Sequence, residues 1–429
     1  MLSVSTALAR LSDGLGESFP DSPGTRIIDI AFPLNDAFDP LLWCGQQAQW
    51  PQFYWQQRNG DEELATLGAV KTFSSLDAAN RFLRQAGQQD LRICGLNAFE
   101  PQQGCLVLPR LEWRRCGGRA VLRLVLHSDI SLRDDAAMAR VFLASLTTTQ
   151  ATPGAIPPLL SERHSSNYLQ WQAMIARATQ AISAGEMDKV VLARATDLQF
   201  AAPLDAVSIM TASRRSNLNC FHFLMAFNAR QAFFGSTPER LWRRRGALLR
   251  TEALAGTVAN HQDDAKAQQL ADWLMKDDKN QRENMLVVED ICQRLQSEAS
   301  TLDVLPPQVV RLRKVQHLRR CIWTELAAPD DSRCLLQLQP TAAVAGLPRR
   351  AALAFIQRHE PFSREWYAGS AGYLSLAQSE FCVALRSAKV ENDILRLYAG
   401  AGIVSGSDAQ QEWQEIDNKA AGLRSLLCP

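Results

Sequence analysis

The chain has 429 residues, 46% hydrophobic and 21% charged, a composition that excludes long disorder, collagen-like repeats and a disulfide-stapled miniprotein. Lys and Arg number 46 against 45 Asp and Glu, for a formal charge of +1, so no global field recruits nucleic acid or an anionic membrane. No stretch approaches the roughly 20 apolar residues of a membrane span, and the N-terminus lacks the basic-then-apolar order of a secretory signal.

In chain order, residues 26–32, 52–55 and 120–126 carry the β-branched or alternating character of strands. Leu76 to Gln85 reads as a helix, and Arg58-Asn59-Gly60-Asp61 as a hairpin turn. No catalytic cluster shows in 1–150, which reads as scaffold. Residues 148–166, with Pro153, Gly154, Pro157 and Pro158, form a connector. The length alone suggests about three domains. Neither half shows an independent set of alternating elements, so one fold over 1–429 is expected, with 1–150 contributing strands.

From residue 167 the pattern sharpens. A helix is expected over 168–185, a strand over 189–196, a helix over 203–213 and a hairpin from 220–227 with 232–235. Helices follow at 264–275, 278–297 and about 307–327. Strand groups at 369–376, 380–389 and 394–404 precede a closing helix from 408, where Ser407 has the form of a capping box. Adjacent strands with helices grouped between them argue an α+β fold built on antiparallel sheets. The ten cysteines include no C-x-x-C pair and no zinc spacing. Together these point to a reduced, cytoplasmic protein.

On the closing helix Glu412, Glu415, Ile416, Lys419 and Leu423 share one face. Charges there are either an internal Glu415–Lys419 pair or a site, since desolvated carboxylates need partners or a metal. Glu283 lies just before the apolar Met285-Leu-Val-Val288 run, and with a glutamate of the last helix would offer the oxygen ligands Mg²⁺ prefers. Lys189 opens a strand as either a buried base or a snorkelling edge charge. Glu239 follows a proline turn, as either a buried acid or a surface pair with Arg240 or Arg243. Arg386 stands beside small Cys382 and Ala384, with room for a carboxylate held in two bonds. The basic runs 243–245 and 311–320 read as solvated faces or ion pairs, not as a nucleic-acid surface.

The segments Lys189-Val-Val-Leu-Ala-Arg, Ser236-Thr-Pro-Glu-Arg, Leu254-Ala-Gly-Thr257, Asp278-Lys-Asn-Gln-Arg-Glu-Asn284, Tyr367-Ala-Gly-Ser-Ala-Gly-Tyr, Ala384-Leu-Arg-Ser and Tyr398-Ala-Gly-Ala-Gly, followed by Glu412, Glu415 and Lys419, occur in this order. Together they resemble the chorismate-utilising enzymes over 167–427. The family includes anthranilate, aminodeoxychorismate, salicylate and isochorismate synthases. The whole chain, including Tyr54-Trp-Gln-Gln-Arg58, is most similar to its menaquinone-pathway isochorismate synthases.

The resemblance implies two large antiparallel sheets packed as a sandwich with outer helices. It also implies a Mg²⁺-dependent isomerase that adds water at C2 of chorismate and removes hydroxide from C4. Glu283 and Glu415 would hold the metal, with Glu412 supporting it through water. Arg386, Tyr367, Thr257 and Lys419, with backbone near Gly256 and Gly402, would bind the substrate carboxylates. Lys189 would be the base and Glu239 the acid. Lys189 stands where ammonia-using relatives carry glutamine, and Ala255 where aminodeoxychorismate synthases carry a lysine that forms a covalent adduct. Asn284 and Asn280 depart from the histidine of many relatives and the glutamate of some salicylate synthases. The alternatives kept are a salicylate synthase, which also eliminates pyruvate, and a silent chorismate-binding subunit. A monomer or weak homodimer is expected.

Overall fold

Period-two burial along the strands decides the architecture. In the Gln52–Gln56 strand, Phe53 and Trp55 enter one core while Tyr54 enters another on the opposite face. Phe223 and Leu224 of the Phe221–Asn228 strand divide in the same way, the mark of a sheet covered on both faces. The computed structural model describes residues 3–34 and 37–427, which leaves Cys428 outside the described residues. Among the described residues, 20 strands form a single hydrogen-bonded network. Every pair in it is antiparallel, as in the Gly24–Pro33 strand against Arg119–Ser128.

Two long arms and a short branch of Arg119–Ser128 with Gly24–Pro33 leave the long Gly104–Cys116 strand. One arm runs through Ile93–Asn97, Ser370–Leu374, Gln378–Val383, Arg240–Arg245, Leu248–Ala259 and Val315–Leu326. The other runs through Glu63–Phe73, Gln52–Gln56, Phe221–Asn228, Gln231–Thr237, Ser387–Glu391, Ile394–Ile403 and Lys189–Phe200. The expected α+β class with antiparallel pairing is present, whereas the expected division into two separate sheets is not. The reason is the 13-residue length of the Gly104–Cys116 strand, which pairs the two arms through overlapping segments. Side chains of both arms share one core, where Trp55 meets Tyr373 edge-on at 5.5 Å. Helices Val4–Gly14 and Leu132–Ala144 pack on the Gly24–Pro33 and Arg119–Ser128 strands, and Ala206–Ser216 covers the opposite face of the second arm.

Several local expectations are corrected. The helix expected over 307–327 is two strands, Gln308–Arg311 and Val315–Leu326. The latter pairs with three neighbours, so ladder hydrogen bonds along its length decide its conformation. The connector ends in an edge strand, Leu159–His164. The helix at 203–213 begins instead at Ala206, because the Asp205 carboxylate accepts from the Val207 and Ser208 amides. The closing helix is likewise capped by Asp408, which accepts from Gln410 and Gln411. Ser407 is therefore not the cap, and its hydroxyl accepts from Val404 N–H.

Candidate active site

The two crossings between the arms create the site. The chain passes from the second arm to the first at Pro238-Glu239, between the Gln231–Thr237 and Arg240–Arg245 strands. It returns at Ala384–Arg386, between Gln378–Val383 and Ser387–Glu391. The strand expected over 380–389 therefore breaks. Arg386 takes φ = 48° there, a left-handed conformation unusual for a residue with a side chain. Its carbonyl accepts from the Ser236 amide at 3.1 Å, which ties one crossing to the other.

Lys189 is 1% exposed and donates to Glu283 Oε1 at 2.9 Å. The lysine opens a second-arm strand, while the glutamate sits on the Asp278–Leu295 helix packed on the first arm. Burial alone would raise the Glu283 carboxyl, but the charge and hydrogen bond of Lys189 prevail and hold it below the usual carboxylate range. Gly402 adjoins this pair: a Cβ there would stand 3.0 Å from Lys189 Cε and 3.1 Å from Glu283 Oε1.

Glu239 is buried, and its Oε1 has no hydrogen-bond partner. Burial, reinforced by the charge of Glu252, pushes the carboxyl up to about 8 against the pull of Lys189, Arg386 and Lys419. Glu239 is thus a protonated acid at neutral pH, among cations but bonded to none of them.

The expected anion-binding residues fall into two linked groups. Arg386 Nη2 donates to His317 Nε2 at 2.9 Å, and His317 Nδ1 lies 3.0 Å from Thr257 Oγ1. An arginine can only donate, so Nε2 accepts, and the His317 proton sits on Nδ1 and points to Thr257. Burial and the nearby Arg386 and Lys419 charges hold this imidazole well below its usual range, hence neutral. Gly256, at φ = 84°, makes the turn before Thr257, whose amide donates to Asn280 Oδ1 at 3.0 Å. In the second group Lys419 Nζ meets Glu415 at 2.5 Å and the Gly400 carbonyl at 2.9 Å. Tyr367 stacks on Tyr398, ring centroids 5.0 Å apart, and its hydroxyl lies over Gly400.

Arg386 and Lys419 line a small cavity of about 30 Å³ with Ser236 and Cys220. A groove of about 760 Å³ elsewhere, lined by Phe99, Phe362 and Trp366, holds none of the candidate residues.

For a divalent cation the donors are carboxylate oxygens. Glu412 is pushed up to about 7 by burial and by the charge of Glu415, a repulsion that a cation would relieve. Among the described residues, no group of three or more His, Cys, Asp or Glu side chains is placed to hold a metal. Two carboxylates with water and substrate oxygens suit Mg²⁺, which rarely takes an all-protein cage. Glu283 and Glu415 both lie in the field of Lys419.

Composition and spacing did not single out His317, which lies inside a basic run read as solvated or ion-paired. Asn284 is buried and serves the scaffold, donating to the carbonyls of Ala253, Ala255 and Leu318.

Residues 96–428 match the family of chorismate binding enzymes. The chain belongs to that family. It is 66% identical over 428 residues to isochorismate synthase MenF of Escherichia coli, covering 100% of this chain and 99% of the relative. The protein of the same name from Haemophilus influenzae is 40% identical, with 91% and 90% covered. A solved structure described as MenF, the menaquinone-specific isochorismate synthase from E. coli, superposes with a TM-score of 0.97, covering 99% of this chain and 100% of that one.

Proposed function

We propose that this chain is an isochorismate synthase of the menaquinone pathway, using Lys189 as base and Glu239 as acid. Chorismate is a dianion, and Arg386, Lys419, Thr257 and Tyr367, with backbone N–H groups near Gly256 and Gly402, bind its carboxylates. The Lys189 amine takes a proton as water attacks C2. The ring double bonds shift, and Glu239 gives its proton to the C4 hydroxyl, which leaves as water. Glu283 and Glu415, with Glu412 supporting them, would hold Mg²⁺, which would supply charge neutralisation for the substrate dianion. Glu283 accepts from Lys189 and so orients the amine. The two sheet arms act as facing leaves of a sandwich around this reaction.

The observation that carries the reading is Glu239, buried, without a partner and pushed up to about 8. Loss of hydroxide needs an acid that is still protonated at neutral pH. Incubation of pure protein with chorismate and Mg²⁺, with products resolved by chromatography, should yield isochorismate alone and none after chelation. Salicylate with pyruvate would identify a salicylate synthase instead, and no turnover a silent binding subunit.

A further inference from the structure

The Arg58 side chain comes from the turn between the Gln52–Gln56 and Glu63–Phe73 strands, in the half of the chain without candidate chemistry. Its guanidinium meets Glu252 in two bonds, at 2.5 and 2.8 Å, and donates to the Pro238 carbonyl at 2.8 Å. Glu252 Oε1 also accepts from the Arg240 amide at 2.7 Å. Glu239 lies between those two anchored groups, and its own carbonyl accepts from Val383 N–H at 3.0 Å. Beyond it, Arg240 Nε and Gln57 Nε2 each donate to Glu380 at 2.9 Å. The Glu252 side chain is fully buried. A buried ion pair is a weak source of stability, so its place on both sides of one residue calls for another explanation.

We propose that Arg58 and Glu252 are positioning residues for the isomerisation: they clamp the Pro238 carbonyl and the Arg240 amide and so fix the backbone that presents the Glu239 carboxyl to the site. This rests on the reading of Glu239 as proton donor. The clamp also acts through charge. Glu239 faces the cations Lys189, Arg386 and Lys419, and the anion Glu252 opposes them. Arg58 and Arg240 in turn temper Glu252. Removing either partner therefore has a signed effect. Without Glu252 the donor loses its proton at lower pH; without Arg58 the uncompensated anion makes it hold the proton to higher pH.

The test is the pH profile of kcat and KM with chorismate for wild type, Glu239→Gln, Glu252→Gln, Arg58→Gln and Arg58→Lys. Glu252→Gln should move the alkaline fall of kcat down by about one pH unit, and Arg58→Gln should move it up. Each should lower kcat roughly 10- to 100-fold with KM little changed, because neither residue touches substrate. Arg58→Lys should restore the position of the fall but only part of the rate, since one ammonium replaces a two-bond clamp. If Arg58→Gln fails to fold, Glu252→Gln, which keeps an acceptor for Arg240 N–H, decides. An unmoved alkaline fall in Glu252→Gln, with Glu239→Gln inactive, overturns this inference alone. Full activity and an unchanged profile in Glu239→Gln overturn the donor reading beneath it.

Discussion

A carboxyl that holds its proton to about 8 affects both rate and stability. Turnover should be sustained while Glu239 is protonated and fall as pH rises through that range. Glu239→Gln should remove the fall and lower kcat at least 100-fold, read from steady-state kinetics. The stability effect runs in the same direction with pH. The folded value lies above the ordinary carboxylate value, so the native state binds more protons between the two, and folding weakens as pH rises across that window. Glu239→Gln should therefore resist urea better than wild type at pH 8, by on the order of 3 kcal/mol. That gap should close below about pH 4.5, where the carboxyl is protonated folded or unfolded. A second residue test is Gly402→Ala: with a Cβ only 3.0 Å from Lys189 Cε, it should lower kcat about tenfold or more at nearly unchanged Tm. Spacing made Lys189, Glu239 and Glu283 candidates, each with a surface alternative. Their burial was not legible, because it is set by elements distant in sequence.

At the scale of elements, the closing helix Ala409–Leu427 carries Glu412, Glu415 and Lys419. Period 3.6 placed those charges on the face of Ile416 and Leu423 before any packing was known, and Ile416 and Leu423 are indeed buried. The partner face was not readable: Trp413 packs on Trp171 and under Arg194, whose guanidinium lies 4.1 Å from the ring, and Arg194 also pairs with Asp417 at 2.5 Å. Asp408→Ala should cost about 1 kcal/mol in urea unfolding, through loss of the cap at Gln410 and Gln411. The same variant should weaken Mg²⁺ dependence of turnover, since the first turn of this helix bears Glu412. The Val315–Leu326 strand shows the limit of periodicity. A helix was expected there, and pairing with strands near 250 and 300 makes it a ladder instead. His317 was missed for the same reason, since only the ladder turns it towards Thr257.

For the whole molecule, local alternation revealed strands and their antiparallel sense but not which distant strands meet. Residues 52–56 pair with 222–226, and 93–97 with 370–374. A fragment lacking 1–150 would leave the Phe221–Asn228 and Ser370–Leu374 strands each short of one neighbour. It would also strip Phe53, Trp55 and Leu96 from the core. Such exposed edges associate, so the fragment should show no cooperative thermal transition and should aggregate in light scattering. A soluble, cooperatively melting fragment would instead mark 151–429 as an independent unit.

The last helix has one more consequence, for synthesis. Three of the residues proposed for the reaction lie within its first eleven positions, so the ribosome adds them only after the last strand of the sheet, Ile394–Ile403. Until then the Lys189–Phe200 and Ile394–Ile403 ladder has no helical cover carrying Glu415. A nascent chain that stalls before this helix lacks Glu415 and Lys419 and should be inert.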